Sequence, residues 1–377
     1  MKTKTQPFLI EHIDPLGQGV DKSTDKIAFI SKTLPGEKGN AQIFKENSKV
    51  SFGRLNSPEH LTQVSKERIK SSCEHFNECN GCHFLHCSYE NEIKFKAESF
   101  SFLTRRLQLE HPPRIIQANN RLHYRNRIQF HYNKKSRKIG LHMAGSNQIT
   151  PVPNCLIANE EISKKIIWLY KNNNWLDLVS KEKNIGHIEC YQKSVNTEAV
   201  FNINKSYAAG GFTQVNEPMN KELIKLIEDN IQIDKSSLTI DLFGGSGNLS
   251  KGLKEHDVLV VDSFVNKKEL LDFQNPLITN LHKTGHIQDI ENHCRQKKVG
   301  TLLLDPPRGG YKDLFELTSN LFPEKIIYIS CFLPTAVRDL GLLLSKYKIT
   351  NSALVDLFPS THHFESVFFL SKSENNG

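Results

Sequence analysis

Residues 238–250 read LTIDLFGGSGNLS: an apolar strand ends at Asp241 and opens into Gly244, Gly245 and Gly247, and a helix is expected to follow. Glycines at such a turn let a ligand lie against bare backbone at a helix N-terminus, although similar turns also serve only to reverse the chain. The next strand, HDVLVVD, ends in Asp262 about twenty residues on, where nucleotide-type folds place an acid against ribose hydroxyls. The loop lacks the GK[ST] that grips a triphosphate, so adenosine without one is favoured, and S-adenosylmethionine fits. Helix-like NKELIKLIEDNI (220–231) precedes this turn, and β-like and α-like segments alternate from 209 to about 372. That alternation predicts an α/β fold with a doubly wound parallel sheet.

Three further strand ends carry chemistry. TLLLDPPRGG (301–310) finishes a strand in an acid, two prolines and an arginine. At the carboxyl edge of an open sheet, where ligands bind, the prolines would stiffen the backbone around Asp305; an ordinary strand exit tolerates the same residues. IIYISCFLPTAVRDL (326–340) puts Cys331 at another strand end, with a helix expected near Pro334 and Arg338 about two turns on. A helix N-terminus and a nearby cation both lower a thiol pKa, which makes Cys331 a candidate nucleophile, whereas a lone Cys is more often a small buried hydrophobe. In LFPSTHHFESVFFL (357–370), Glu365 stands between an aromatic and an almost wholly apolar strand. Burial there would raise its pKa and suit proton transfer; a cap or salt-bridge role is the alternative.

The chain of 377 residues, 38% hydrophobic and 24% charged, has the composition of a globular protein of two or three domains. No apolar run reaches the length of a membrane-spanning helix, and MKTKTQPFLIEHIDP holds no apolar stretch long enough for a signal peptide. A cytoplasmic location without a membrane partner is therefore expected. Thiols stay reduced there, and clustered Cys points to metal or catalysis before disulfides. Four of the 8 Cys fall in CEHFNECNGCHFLHC (73–87). Cys73, Cys79 and Cys82, spaced C-x5-C-x2-C, suit an Fe–S cluster, with a zinc site as competitor although zinc ribbons usually carry two C-x2-C pairs. Cys87 or the distant Cys155 would be the fourth ligand. Cys190 and Cys294 have no partners in sequence.

The net charge is +8, and RLHYRNRIQFHYNKKSRK (121–138) carries seven Lys or Arg and no acid. Cations neutralise phosphates and aromatics stack on bases, so nucleic acid is the natural partner; a solvated β-ribbon has the same pattern. Short pieces KIAFIS, GNAQIFKEN and KVSFGRL between turn signals predict an OB-like β unit over 8–60. Three domains result: 1–62, a β-rich 63–208 and 209–377, with a helical stretch at about 91–110 able to pack with the last.

GFTQVN (211–216), DLFGGSGN (241–248), LLLDPPRGG (302–310), YISC (328–331) followed by Pro334, Thr335 and RDL, and FPSTHHFE (358–365) resemble, in order and spacing, the uracil-5-methyltransferases of RNA. The resemblance covers nearly the whole chain. It implies a Rossmann-like class I methyltransferase domain, a TRAM domain in the N-terminal β unit, and a central RNA-binding domain whose [4Fe–4S] cluster is held by Cys73, Cys79, Cys82 and Cys155. Cys87 is then left to packing. Members with both TRAM and cluster methylate 23S ribosomal RNA, so a monomeric, S-adenosylmethionine-dependent 23S rRNA uridine C5-methyltransferase is implied. On that pattern Cys331 adds to C6 of the base, Glu365 removes the C5 proton, and Gln214, Phe243, Asn248, Asp262, Asp289 and Asp305 hold the methyl donor.

Some positions depart from the family. Phe332 stands where Asn is usual, Gly244 where Cys is usual and Asp262 where Glu is usual; these bear on substrate fit and donor affinity more than on reaction type. Two other readings accompany the main one. Phe332 motivates a catalytically inactive RNA-binding or ribosome assembly factor. A tRNA-directed enzyme is the second, although relatives of that kind generally lack the TRAM unit and the cluster.

Overall fold

The computed structural model describes residues 4–373 except 144, 195, 207–208, 210–212, 232–233, 235 and 295–296, so Gly211 and Phe212 of GFTQVN lie outside the described residues. The chain divides into two compact units. One comprises Met1–Ser99, Ala118–Glu217 and Phe358–His363, the other Phe100–Gln117, Pro218–Leu357 and Phe364–Gly377.

The first unit carries two sheets. Seven strands between Lys4 and Gln63 form the N-terminal one. In its Ile27–Ser31 strand, Ala28 and Ile30 are fully buried while Phe29 between them is partly exposed, the alternation that a pleated strand imposes. Phe8, Ile10, Ala41 and Leu55 complete that core. The second sheet has five antiparallel strands in the order Ile149–Thr150, Lys138–His142, Arg127–Asn133, Ile185–Tyr191 and Val200–Ile203. The helix Glu160–Tyr170 is capped by Asn159, whose side chain accepts the Ile162 N–H at 2.9 Å. Its Ile162, Ile166 and Leu169 fall on one stripe and pack with Phe130, Tyr132, Trp175 and Ile188.

This second sheet changes the reading of the basic stretch 121–138. Arg127 is buried and paired with Glu189 at 2.9 Å. Arg121 binds Glu92 at 2.7 Å and also donates to the carbonyls of Phe84 and Cys87. Arg125 donates to the Arg127 carbonyl, and Lys134 to those of Val179, Ser180 and Glu182. Lys135, Arg137 and Lys138, at the hairpin tip, are the exposed cations of the stretch. A buried, paired arginine is held by the fold and is not available to a phosphate.

The second unit is built on an eight-stranded sheet, ordered Gln274–Ile278, Asp257–Asp262, Ser237–Leu242, Lys298–Leu304, Lys325–Ser330, Glu365–Lys372, Tyr347–Val355 and Arg114–Ile116. Every pairing is parallel except those of Glu365–Lys372, which runs antiparallel to both neighbours. The expected Rossmann-like α/β fold is thus present. Strands such as Ser237–Leu242 are buried along their whole length, which is why they read as unbroken apolar runs.

One crossover differs from expectation. After Gly247 the chain runs in turns where a helix was expected, and turns also follow Asp262. Ser250 donates its hydroxyl to Asp241 at 2.6 Å, and Asp262 accepts the Phe264 N–H at 3.3 Å. Such local side-chain bonds compete with helix formation, and Gly252 weakens it further. Among the described residues no helix is long and apolar enough to cross a membrane.

Candidate active site

The parallel strands of the second unit end along one edge at Leu242, Asp262, Leu304 and Ser330, and the antiparallel strand opens there at Glu365. Ser330 pairs with Ser366, so the next residues outward, Cys331 and Glu365, stand opposite each other where the two strands part. Residues so placed have Cβ atoms about 5 Å apart. Ser366 Oγ donates to the Ser330 carbonyl at 2.8 Å, and the Phe332 N–H donates to Ser330 Oγ at 3.0 Å, turning the chain into the helix Leu333–Leu343. Pro334 sits in the first turn of that helix, where its missing N–H costs no hydrogen bond.

The electrostatics differ from the sequence expectation. Burial first, then the charges of Glu365 and Asp305, push the Cys331 thiol up to about 11. Arg308 opposes this with its charge and a hydrogen bond to the thiol. Glu365 is 5% exposed and its Oε2 has no partner among the described residues. Burial and then Asp305 hold its carboxyl well above the usual range, again against Arg308. Asp305 is pushed up to about 7 by burial and by Asp241.

Arg338, expected to serve the thiol, is engaged elsewhere. Its Nε donates to Asp339 at 2.8 Å and its Nη2 to the Gly309 carbonyl at 2.9 Å. The buried Asp339 also accepts the Tyr311 N–H at 2.8 Å and the Tyr328 hydroxyl at 2.7 Å, while Thr335 Oγ1 donates to the Arg308 carbonyl at 3.1 Å. Gly310 lies at φ +72°, where a Cβ would collide with Asp339. The loop that presents Asp305 and Arg308 is therefore fastened to the helix that follows Cys331. Arg308 was open to discovery from the sequence, since it stands inside LLLDPPRGG, but nothing local says which arginine faces the thiol.

Along the same edge the Gly245 N–H donates to Asp262 Oδ2 at 3.1 Å, and the space beside its α-carbon is open for 4 Å. Gly247, at φ +67°, has no such room: a Cβ would lie 2.6 Å from the Gln274 amide. Asp241 is buried, its Oδ1 has no partner among the described residues, and burial pushes its carboxyl up to about 7. Phe243 stacks edge-on against Tyr311 at 5.4 Å, and Asn248 exchanges hydrogen bonds with Asn220 at 2.9 and 3.1 Å. Asp289 is exposed on the helix His286–Cys294 and accepts Thr279 Oγ1 at 2.8 Å, while the Thr279 N–H donates to the Asp262 carbonyl at 3.0 Å. Phe243, Asn248, Asp262 and Asp305 thus share one edge, with Asp289 linked to it through Thr279. Gln214 belongs to the first unit, where its carbonyl accepts Asn126 Nδ2 at 2.9 Å. An open glycine face, a carboxylate tied to its amide and an orphaned buried carboxylate oxygen fit an adenosine-bearing donor.

Residues 283–373 match the model of the tRNA (Uracil-5-)-methyltransferase family. The 23S rRNA (uracil(1939)-C(5))-methyltransferase RlmD of Vibrio campbellii is 25% identical over 436 residues, covering 99% of this chain and 97% of that protein. The protein of that name from Haemophilus parainfluenzae is 27% identical over 425 residues, covering 96% and 95%. Over nearly its whole length the chain is similar to RNA uracil-C5-methyltransferases. Its fold is shared by the crystal structure of Pyrococcus abyssi tRNA (uracil-54, C5)-methyltransferase in complex with S-adenosyl-L-homocysteine, with a TM-score of 0.73 at 16% identity over 97% of this chain and 100% of that one.

In the first unit of this methyltransferase, Cys73, Cys79, Cys82 and Cys155 line one cavity of about 290 Å³. Burial raises the pKa of each thiol, and the charge of Cys155 adds to the effect at Cys82. Cys87 is buried apart from them, donates to the Phe84 carbonyl at 3.2 Å and feels Arg121 and Glu92. Among the described residues no group of three or more His, Cys, Asp or Glu is placed to hold a metal ion. The fit of these residues to a cluster is one of donor chemistry: four sulfurs share a cavity, and the buried ammonium of Lys32 acts electrostatically with three of them, Cys73, Cys79 and Cys82.

Proposed function

We propose that this methyltransferase methylates C5 of a uridine in 23S rRNA through a covalent bond between Cys331 and C6 of the base. The observation that carries the reading is the pairing of Ser330 with Ser366, which leaves Cys331 and Glu365 facing each other beside Asp305. Relatives named as 23S rRNA methyltransferases, matched along nearly their whole length, support the substrate class.

Uracil C5 is a poor nucleophile. When the Cys331 thiolate adds to C6, the S–C6 bond forms and the π pair moves toward the C4 oxygen, leaving an enolate whose C5 is nucleophilic. Bound S-adenosylmethionine would supply the methyl group that C5 takes, its S–CH3 bond breaking to leave S-adenosylhomocysteine, and Phe243, Asn248, Asp262 and Asp305 are the residues that would hold it. Glu365 then accepts the C5 proton, the pair left at C5 restores the double bond, and the S–C6 bond breaks to return the thiolate. Arg308 favours the anionic forms of both Cys331 and Glu365, so it belongs with the pair. Two moderate barriers replace one high barrier, and alignment of the base supplies much of the remainder. A base in a duplex has to leave its stack to enter such a site. The same reading gives the N-terminal sheet a TRAM role in RNA contact and gives Cys73, Cys79, Cys82 and Cys155 a [4Fe–4S] cluster as a rigid cross-link.

Ribosomal RNA tritiated at uridine C5 tests the reaction. Tritium should pass to water only with the donor present, and Cys331→Ala should reduce release to background. Release that survives in Cys331→Ala would sink the adduct. Phe332, 39% exposed beside the nucleophile, and the turn that replaces a helix after the glycine loop favour the RNA-binding factor as a second reading. Absence of release from 23S RNA and its precursors, by a protein that still binds them, would establish that reading. Release from tRNA alone would move the substrate.

A further inference from the structure

Lys32 is 3% exposed, yet it comes from the turn that ends the Ile27–Ser31 strand of the N-terminal sheet. Its Nζ donates to the carbonyls of Cys79, at 3.2 Å, and Cys82, and lies 4.0 Å from the centre of the Phe76 ring. Its backbone is at φ +68°, a left-handed conformation that a lysine adopts at a cost, and Arg68 fixes its carbonyl at 2.8 Å. Among the described residues its hydrogen-bond partners include no carboxylate, and the acidic groups that act on it are Cys82, Cys79 and Cys73.

An ammonium removed from water needs a compensating negative charge, and carbonyls with an aromatic face supply only part of one. Four thiolates around a metal centre carry the missing charge; four neutral thiols do not. We propose that Lys32 is a built-in counter-cation for an anionic centre on Cys73, Cys79, Cys82 and Cys155, a positioning residue that ties retention of the centre to the N-terminal sheet. The inference rests on the cluster reading above. It adds that the sheet contributes a charge to the site although it contributes no ligand. A clamp acting only on the two carbonyls would need hydrogen-bond donors but no net charge, and the two roles can be separated.

The experiment compares wild type, Lys32→Arg, Lys32→Gln and Lys32→Met, each purified without oxygen and reconstituted with iron and sulfide. Lys32→Arg should keep iron and midpoint potential near those of wild type. The two uncharged variants should release iron to a chelator roughly tenfold faster or more, as loss of a group supporting a metal site does. Their midpoint potential should fall, because a neighbouring cation favours the more negative, reduced state. Lys32→Gln can still donate hydrogen bonds, so a carbonyl clamp alone would leave it like wild type in both measurements, and that result overturns the proposal. If the uncharged variants do not fold, acetylation of Lys32 in the wild-type protein decides. Lys32 protected while iron is bound and reactive after iron is stripped supports the proposal, and equal reactivity in both states overturns it. A wild type that holds no metal overturns the cluster reading and this inference together, whereas a loaded wild type matched by Lys32→Gln overturns this inference alone.

Discussion

At the residue scale the chemistry turns on a thiol and a carboxylate that each resist ionisation. Cys331, pushed up to about 11 by burial and by Glu365 and Asp305, holds its proton at neutral pH in the free protein. Alkylation requires the thiolate, so the rate of iodoacetamide attack on Cys331 should rise about tenfold per pH unit from 7 toward 10. Glu365→Gln removes one repelling carboxylate, lowers the thiol pKa and should speed alkylation at pH 9. Arg308→Ala should slow it. Mass spectrometry of the Cys331 peptide reads both, and equal rates in the two variants would dissociate Arg308 and Glu365 from the thiol. With RNA and donor present, Glu365→Gln should accumulate a denaturation-resistant RNA–protein adduct, because the C5 proton has no acceptor. Which acids and thiols sit at strand ends was legible in the quoted motifs. The direction of the thiol shift was not, because burial outweighs the helix terminus and the helper cation is Arg308, with Arg338 held by Asp339.

At the scale of elements, two glycines of one turn separate stability from binding. Gly247 is at φ +67° with Gln274 where a side chain would go, so Gly247→Ala should destabilise the protein by about 2 kcal/mol, read by urea unfolding. Gly245 is at φ +55° with open space beside it. Gly245→Ala should cost roughly 1 kcal/mol of stability, but it fills the face where the donor would lie and should weaken binding of S-adenosylhomocysteine by calorimetry. Unchanged affinity in Gly245→Ala would remove that face from the donor site. In EEISKKIIWLY the apolar residues fall at helical spacing, and Ile162, Ile166 and Leu169 meet the core. The strand and glycine-turn motif misled on the helix expected after it, since the Ser250 hydroxyl closes on Asp241 and the chain stays in turns.

At the scale of the whole molecule, residues far apart in sequence share one environment. Cys155 joins Cys73, Cys79 and Cys82 around one cavity, while Cys87, five residues from Cys82, does not line it. Cys155→Ser should bleach the reconstituted protein and lower its iron content, whereas Cys87→Ser should leave both unchanged. The reverse pattern would exchange their roles. The basic stretch 121–138 teaches the complementary lesson. It announced seven cations, but Arg127 and Arg121 close on Glu189 and Glu92, neither of which lies within the stretch.

The sequence by itself determined the α/β class of the second unit, the run of chemistry-bearing residues at its strand ends and the cysteine spacing. Each is written in neighbouring residues through periodicity, turn chemistry and motif order. Tertiary structure alone decided which charges are spent internally, which arginine faces Cys331, which way that thiol shifts, and that Lys32 lies among the cysteines. Pairing and protonation depend on burial and on partners brought together from distant parts of the chain, and no local pattern carries that information.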